Sequence, residues 1–217
     1  MHGKIITVAQ QKGGTGKTTV AAHLAVAWSR MRGKSVAILD TDPQGSLGEW
    51  LEARERRFGE GDTGLGFRTA SGWGARREAR SLARDYDVVV IDTPPKAAME
   101  MKPAMEAATL IVVPVQPTPV DLWATETTLE MASGEDSAAV LVINRVPPRA
   151  RLTAEMVEVM KDFDARAANA RLGNRVAFAS SIGEGSTVLE TEPNGKAAEE
   201  VDALARELLK RLKKAEA

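Results

Sequence analysis

The stretch Ile5-Ile6-Thr7-Val8-Ala9-Gln10-Gln11-Lys12-Gly13-Gly14-Thr15-Gly16-Lys17-Thr18-Thr19-Val20 decides how the rest of the chain is read. A short β-branched run reads as a buried strand. A glycine-rich loop follows, and then apolar residues at helical spacing: Val20, Leu24, Ala27 or Trp28, and Met31. Gly33 is placed as the stop of that helix, beyond a last turn carrying Arg30 and Arg32. With a second apolar run at Ser35 to Leu39, the chain opens on a strand, loop, helix, strand unit.

From Gln11 to Thr18 the loop has the spacing of a phosphate-binding loop, except that Gln11 occupies the place of the first glycine. Glycines at 13, 14 and 16 let successive backbone N–H groups turn inward on phosphate oxygens, and a helix starting near Lys17 adds the positive end of its dipole. The candidate cradle is thus Lys12, Gly13, Gly14, Thr15, Gly16, Lys17, Thr18 and Thr19. Lys17 is placed to neutralise the β- and γ-phosphates, and the Thr18 hydroxyl to bind Mg²⁺, a cation that shares coordination with phosphate oxygens. A glycine-rich turn alone would not carry this reading. Two further strand ends support it: Asp40-Thr41-Asp42-Pro43-Gln44-Gly45 follows Val36 to Leu39, and Asp92-Thr93-Pro94-Pro95 follows Val88 to Ile91. Carboxylates at the carboxyl ends of parallel strands are where ligands of such sheets gather, and Asp92 has the placing of a Walker-B metal-positioning aspartate.

Further candidate strands lie at Leu110 to Val113, Val140 to Ile143 and Val176 to Phe178, and candidate helices at Leu47 to Arg57, Ala75 to Arg84, Ala97 to Ala107, Val120 to Met131, Thr153 to Ala168 and Lys196 to Lys214. Strands alternating with helices predict an α/β fold, a mainly parallel twisted sheet with helices on both faces, of the P-loop NTPase kind. Gly59 to Gly66 and Pro147-Pro148-Arg149 read as surface connections. With 217 residues and no linker-like tract, residues 1–217 are expected to form one domain.

Composition narrows the function. The net charge of -1 predicts no overall attraction to polyanions, so any nucleic-acid contact has to come from a local patch. The absence of cysteine removes disulfides, thiolate metal sites and cysteine-held iron–sulfur clusters. No stretch reaches the apolar length of a membrane span, and the amino-terminal apolar run is too short for a signal peptide, so a cytoplasmic location is expected. His2 and His23 are too few for a metal pair, and the four tryptophans are scattered rather than interleaved with basic residues.

Taken together, Lys12 to Thr19, Asp40 to Gly45, Asp92 to Pro95, Pro114-Val115-Gln116-Pro117-Thr118 and Ile143-Asn144-Arg145 resemble the ParA/MinD family of deviant Walker-A ATPases, with the wording of Asp40 to Gly45 closest to the ParA branch. The resemblance implies binding of ATP and Mg²⁺ and slow, partner-stimulated hydrolysis. It makes Lys12 the lysine that reaches across a nucleotide-sandwich homodimer, comparable to an arginine finger acting in trans. It makes Lys12, Lys17 and Asp42 the catalytic set, with Asp42 orienting water. Thr18, Asp40 and Asp92 are the metal set, the division between Asp40 and Asp42 staying open, and Asn144 reads adenine through an amide that both donates and accepts.

The same resemblance implies nonspecific DNA as a partner of the ATP state, hence a nucleoid-associated location, and a stimulating adaptor, centromere-binding or cargo protein. Between Arg145 and Arg175 lie seven basic residues and four acidic ones. The candidate DNA contacts there are Arg145, Arg149, Arg151, Arg166, Arg171 and Arg175. The loop begins about a dozen residues in, which leaves no room for a preceding helix-turn-helix and fits the small positioning ATPases of the family. Two other readings stay in view. A MinD-like membrane-surface protein would use the apolar stripe Val201, Leu204, Ala205, Leu208 and Leu212, although Glu199, Glu200, Asp202 and Glu207 oppose an anionic bilayer. A small-molecule ligase would use the phosphate loop alone.

Overall fold

The computed structural model describes residues 3–95, 98–133, 138–148 and 166–214, together with Glu155 and Glu158. Seven strands form one sheet: β1 (Lys4–Val8), β2 (Val36–Asp40), β3 (Gly66–Thr69), β4 (Val88–Asp92), β5 (Leu110–Val115), β6 (Ala138–Ile143) and β7 (Arg166–Ala167). Their order across the sheet is β3-β2-β4-β1-β5-β6-β7, and every adjacent pair is parallel. β1 therefore lies between β4 and β5, which sets the loop that follows it beside the ends of both.

The helices are α1 (Lys17–Ser29), α2 (Ser46–Phe58), α3 (Ala75–Asp85), α4 (Ala98–Ala107), α5 (Pro119–Ser133), α6 (Val176–Gly183), α7 (Val188–Thr191) and α8 (Lys196–Lys214), with a 3₁₀ turn at Gly72–Gly74. Side chains alternate across a strand, so Ile6, Val8, Val36, Ile38, Val88 and Val90 face one way, against α1 and α8. The alternate residues face the other way: Ile5, Ala37, Leu39, Val89 and Ile91 against α3, and Ile111, Val113, Leu141 and Ile143 against α4 and α5. Both faces are covered, which is why these strands are apolar throughout instead of alternating with polar residues.

α1 is apolar nearly all round because it is enclosed between the sheet and α8; Val20 to Trp28 are all buried. The Trp28 indole donates to the Ala205 carbonyl of α8 at 3.1 Å. Val201, Leu204, Ala205, Leu208 and Leu212 are at most 2% exposed, so the apolar stripe of α8 is spent on the core.

Four local expectations are corrected. Val176 to Phe178 is the first turn of α6, not a strand, because a three-residue apolar run does not distinguish the two and the Ala179-Ser180-Ser181 that follows continues the helix. The segment ending at Ala168 closes with the short strand β7, not with helix, and most of Thr153 to Arg166 lies outside the described residues apart from the helical Glu155 and Glu158. Gly66 opens an edge strand that a glycine and two exposed residues conceal. α1 ends at Ser29, before Gly33, whose φ of +74° belongs to the turn into β2.

Candidate functional site

Sequence position and sheet order bring the loop after β1 against the ends of β2, β4, β5 and β6. Lys17, the first residue of α1, is 6% exposed. Burial lowers its pKa, and the nearby Asp92 and Asp42 carboxylates partly offset that. No acidic residue stands in the first turn of α1, which leaves the helix dipole uncompensated there. Gly14 and Gly16 have φ of +78° and +93°, the left-handed conformation that glycine adopts without strain. At Gly16 a Cβ would also lie 2.4 Å from the Asn144 amide nitrogen, so that position has no room for a side chain.

The two aspartates converge through strand register, since Asp40 and Asp92 are paired at the ends of β2 and β4. Asp92 is 1% exposed. Its Oδ2 accepts the Thr18 hydroxyl at 2.6 Å and its Oδ1 accepts the Thr93 N–H at 3.1 Å. Burial pushes its pKa up to about 7, with the Asp40 charge adding to the rise and the Thr18 hydrogen bond opposing it. Asp40 is 3% exposed and is also shifted upward by burial. Its Oδ1 accepts the Asp42 N–H at 2.9 Å, while Oδ2 is buried with no hydrogen-bond partner among the described residues. Asp42 is partly exposed and accepts the Gln44 N–H at 3.0 Å, a turn that holds its carboxylate at the rim.

A buried carboxylate with an unmade hydrogen bond, beside a second aspartate and a threonine hydroxyl, is oxygen chemistry suited to Mg²⁺. Among the described residues there is no group of three or more His, Asp or Glu side chains arranged to hold a metal ion by themselves. The fit is to a cation that takes most of its ligands from phosphate and water.

Asn144, at the end of β6, makes two bonds of its own: its amide donates to the Thr15 carbonyl at 2.7 Å, and its Oδ1 accepts the Arg145 N–H at 2.9 Å. It braces the loop and retains one N–H and one lone pair for a ligand. A cavity of about 360 Å³ opens beside it, lined by Gly16, Thr19, His23, Arg145, Arg175 and Phe178 among others. Arg145 has a φ of +53°.

Lys12 has a partner that sequence reasoning did not supply. Its ammonium lies 2.6 Å from Asp121 Oδ2, with the lysine side chain 33% exposed and the aspartate 1%. Thr118 caps α5, Pro119 takes the first helical position, and the Thr118 hydroxyl also donates to Asp121 Oδ2. One and two turns on, Thr125 and Thr128 face the same way and bond the buried Gln10, at 3.2 and 2.9 Å. Thr128 also accepts the Gln11 N–H at 3.3 Å. This Asp121, Thr125, Thr128 stripe holds the front of the loop. Its signal was threonines at helical spacing in a helix they do not favour. From the β5 end, Gln116 donates to the Gly14 carbonyl at 2.9 Å.

The basic segment fares differently. Arg175 is tied to Glu200 by three contacts of 2.5 to 3.2 Å. Arg145 and Arg171 are exposed, Arg166 belongs to β7, and Arg149 and Arg151 lie outside the described residues. Glu184 to Thr187 is packed on the chain itself. Gly185 abuts the Ala53–Arg54 backbone, Trp50 donates to the Ser186 carbonyl at 3.0 Å, and Arg54 pairs with Glu190 at 2.7 Å.

A glycine-rich loop between a central parallel strand and a buried helix, with two aspartates on neighbouring strand ends, defines the P-loop nucleotide-binding class. The profile of the CobQ/CobB/MinD/ParA nucleotide binding domain matches residues 6–188, and the chain belongs to that family. It is 28% identical over 211 residues to maintenance of carboxysome distribution protein A of Halothiobacillus neapolitanus, covering 94% of this chain and 95% of that one. It is 32% identical over 217 residues to the protein of the same name from Gloeobacter kilaueensis, covering 96% and 94%. The fold superimposes on a Cyanothece McdA variant in complex with ATP with a TM-score of 0.76 at 16% identity, covering 99% and 96% of the two chains. Among the described residues no helix is long and apolar enough to cross a membrane.

Proposed function

We propose that the chain, acting as a single domain, is a slow, partner-stimulated ATPase that switches between a free form and an ATP-bound homodimer, and that it positions a large cargo through nonspecific DNA binding in the dimeric state. The observation that carries this reading is the convergence on one loop of Lys17, the paired Asp40 and Asp92, and Lys12, which Asp121 holds at the rim with a third of its side chain exposed. Within one chain the second lysine serves to hold Asp121; in a sandwich dimer it would also complete the neighbouring site.

In this reading the N–H groups of Gly13 to Thr19 hold the phosphates, Lys17 neutralises them, and Asn144 meets the base. Thr18, Asp40 and Asp92 would hold Mg²⁺, which would supply charge neutralisation at the phosphates. Asp42, at the rim, orients the attacking water. DNA is met by exposed basic residues, Arg145 and Arg171 among them; Arg175 has first to leave Glu200. The relatives' names make a protein assembly such as a carboxysome the favoured class of cargo, ahead of a plasmid or chromosomal complex. The membrane-surface reading loses ground because the apolar face of α8 is already buried.

The test is light scattering and DNA co-sedimentation with ATP, ADP and no nucleotide across a salt series. ATP-specific dimers that bind DNA with a steep loss on added salt are expected. Lys17→Ala should abolish productive nucleotide binding, and Lys12→Ala should bind ATP but stay monomeric. Unaltered hydrolysis in Lys17→Ala, or normal dimers of Lys12→Ala, would remove the basis of the assignment.

A further inference from the structure

The two most exposed large apolar side chains among the described residues are Trp73 and Met99, at 86% and 88%. Each adjoins, along the chain, a residue of one close contact between the 3₁₀ turn and the start of α4. Gly72 sits against Glu100 so tightly that a Cβ there would lie 2.8 Å from Glu100 Cα, Cβ and O. Trp73 then leads directly into α3, where Arg77, Arg80 and Arg84 follow at helical spacing. Residues three and four apart share a helix face, so the three arginines form a row about 10 Å long that continues from the tryptophan.

Arg77, Arg80 and Arg84 are exposed and have no ion-pair partner among the described residues. Their neighbours are already paired: Arg76 with Glu106 at 3.2 Å, and Glu78 with Arg68. Exposed Glu100 adjoins Met99 and exposed Asp85 adjoins Arg84 along the chain. The opposite side of α3, Ala75, Ala79, Leu82 and Ala83, is consumed by the core, so the row is a fixed surface and not one face of a free helix.

We infer that this surface docks an acidic segment of a partner protein, one that carries apolar residues alongside its carboxylates. Trp, Met and Arg are the residue types enriched at protein interfaces, and Trp and Arg dominate their hot spots. Duplex DNA would use the arginines but leave two large apolar side chains in water, and Glu100 and Asp85 oppose a polyphosphate. An anionic bilayer needs a larger inserted face than two side chains on a helix whose apolar side is buried. A carboxylate segment with apolar residues uses the arginine row for bidentate pairing and the Trp73–Met99 pair as its anchor. The docking turn abuts the helix that follows the Asp92 strand end, which places a bound partner one element from the nucleotide site.

The experiment uses the full chain without nucleotide, so that its failure leaves the ATPase reading intact. The probe is a fluorescent peptide with Leu and Phe on one helical side and Glu on the other, measured by anisotropy beside polyglutamate, duplex DNA and phosphatidylglycerol vesicles. The expected result is saturable peptide binding that weakens about tenfold or more in Trp73→Ala/Met99→Ala and in Arg77→Glu/Arg80→Glu/Arg84→Glu. Polyglutamate should compete poorly, and DNA and vesicle binding should be the same in the variants as in the parent chain. Equal peptide binding by the variants overturns the inference. So does competition by polyglutamate as strong as by the peptide, or a loss of DNA or vesicle binding that exceeds the loss of peptide binding.

Discussion

Substituting Lys12 and Asp121 one at a time separates two halves of a contact whose ends are unlike. The carboxylate is 1% exposed, the lysine side chain 33%, and the atoms are 2.6 Å apart. Without the lysine, Asp121 is left buried with the Thr118 hydroxyl as its remaining side-chain partner and with Oδ1 already unpaired. Without the carboxylate, the ammonium turns into water. Removing one partner of a fully buried pair costs about 3–5 kcal/mol. With one end a third exposed, water recovers part of that, so Lys12→Ala should lose about 1–3 kcal/mol of unliganded stability. Asp121→Asn should stay within about 1 kcal/mol of the parent. The same contact withholds Lys12 from any second site. A tether worth about 1.4 kcal/mol lowers the free fraction about tenfold, so Asp121→Asn should tighten ATP-dependent self-association by up to about that factor. Urea unfolding without nucleotide and light scattering with ATP read the two effects. If Asp121→Asn destabilises as much as Lys12→Ala and leaves self-association unchanged, the contact is an ordinary structural pair and the reasoning fails.

His23 accepts the Val188 N–H at Nε2 and lies 2.7 Å from the Thr19 carbonyl through Nδ1, so it is neutral with its proton on Nδ1. Burial pushes its pKa down from 6.5 to about 4. The neutral form's stability is therefore complete above pH 6.5 and lost as pH falls toward 4, about 3 kcal/mol in all. The raised pKa of Asp92 acts with the opposite sign, so the readout is the difference between the parent and His23→Gln in urea unfolding; a gap that does not change with pH refutes it. Gly16→Ala combines the positive φ with the Asn144 clash, and a loss of about 1–3 kcal/mol with failure to bind a fluorescent ATP analogue is expected. Mg-ATP at about a hundred times its Kd should add about 2.7 kcal/mol of stability, and an unchanged thermal midpoint would deny binding at this site.

The fold was legible because its strands are buried on both faces. Val88 to Ile91 and Leu110 to Val113 are apolar at every position, and only a covered parallel sheet asks that of a strand. β3 was hidden for the converse reason, being an edge strand with Arg68 and Thr69 exposed and little apolar pattern to read. Of the site, the loop and both aspartates were legible because backbone chemistry confines glycines and strand-end carboxylates to few residue types. Asp121 was not. It is 109 residues from Lys12, inside a helix whose threonines read as weak helix formers, and only the placing of β5 beside β1 brings them together. The α3 arginines are not legible as a patch in the sequence because α3 also contains Glu78 and Asp85. What matters is which charges are left unpaired once the helix is docked.

The loop is held by the same groups that a nucleotide would use. Thr18 is bonded to Asp92, Asn144 to the Thr15 carbonyl, Gln116 to the Gly14 carbonyl and Lys12 to Asp121. A glycine-rich segment would otherwise sample many conformations, and ordering it would weigh against binding. These bonds fix it beforehand, but not equally. The Asn144 and Gln116 bonds go to loop carbonyls and leave the inward N–H groups free, so phosphate binding need not break them. The Thr18 and Lys12 bonds occupy groups whose proposed ligands are a cation and a second molecule's phosphate, so each must be exchanged at its own step. Asp40, with a buried oxygen unpaired among the described residues and the Asp92 carboxylate beside it, gains from the first exchange. Lys12, satisfied by Asp121, gains only when a partner presents enough negative charge to outbid a carboxylate. In the proposed cycle, that difference places the cation step ahead of the dimer step, and it makes dimerisation, not nucleotide binding, the point at which the chain resists.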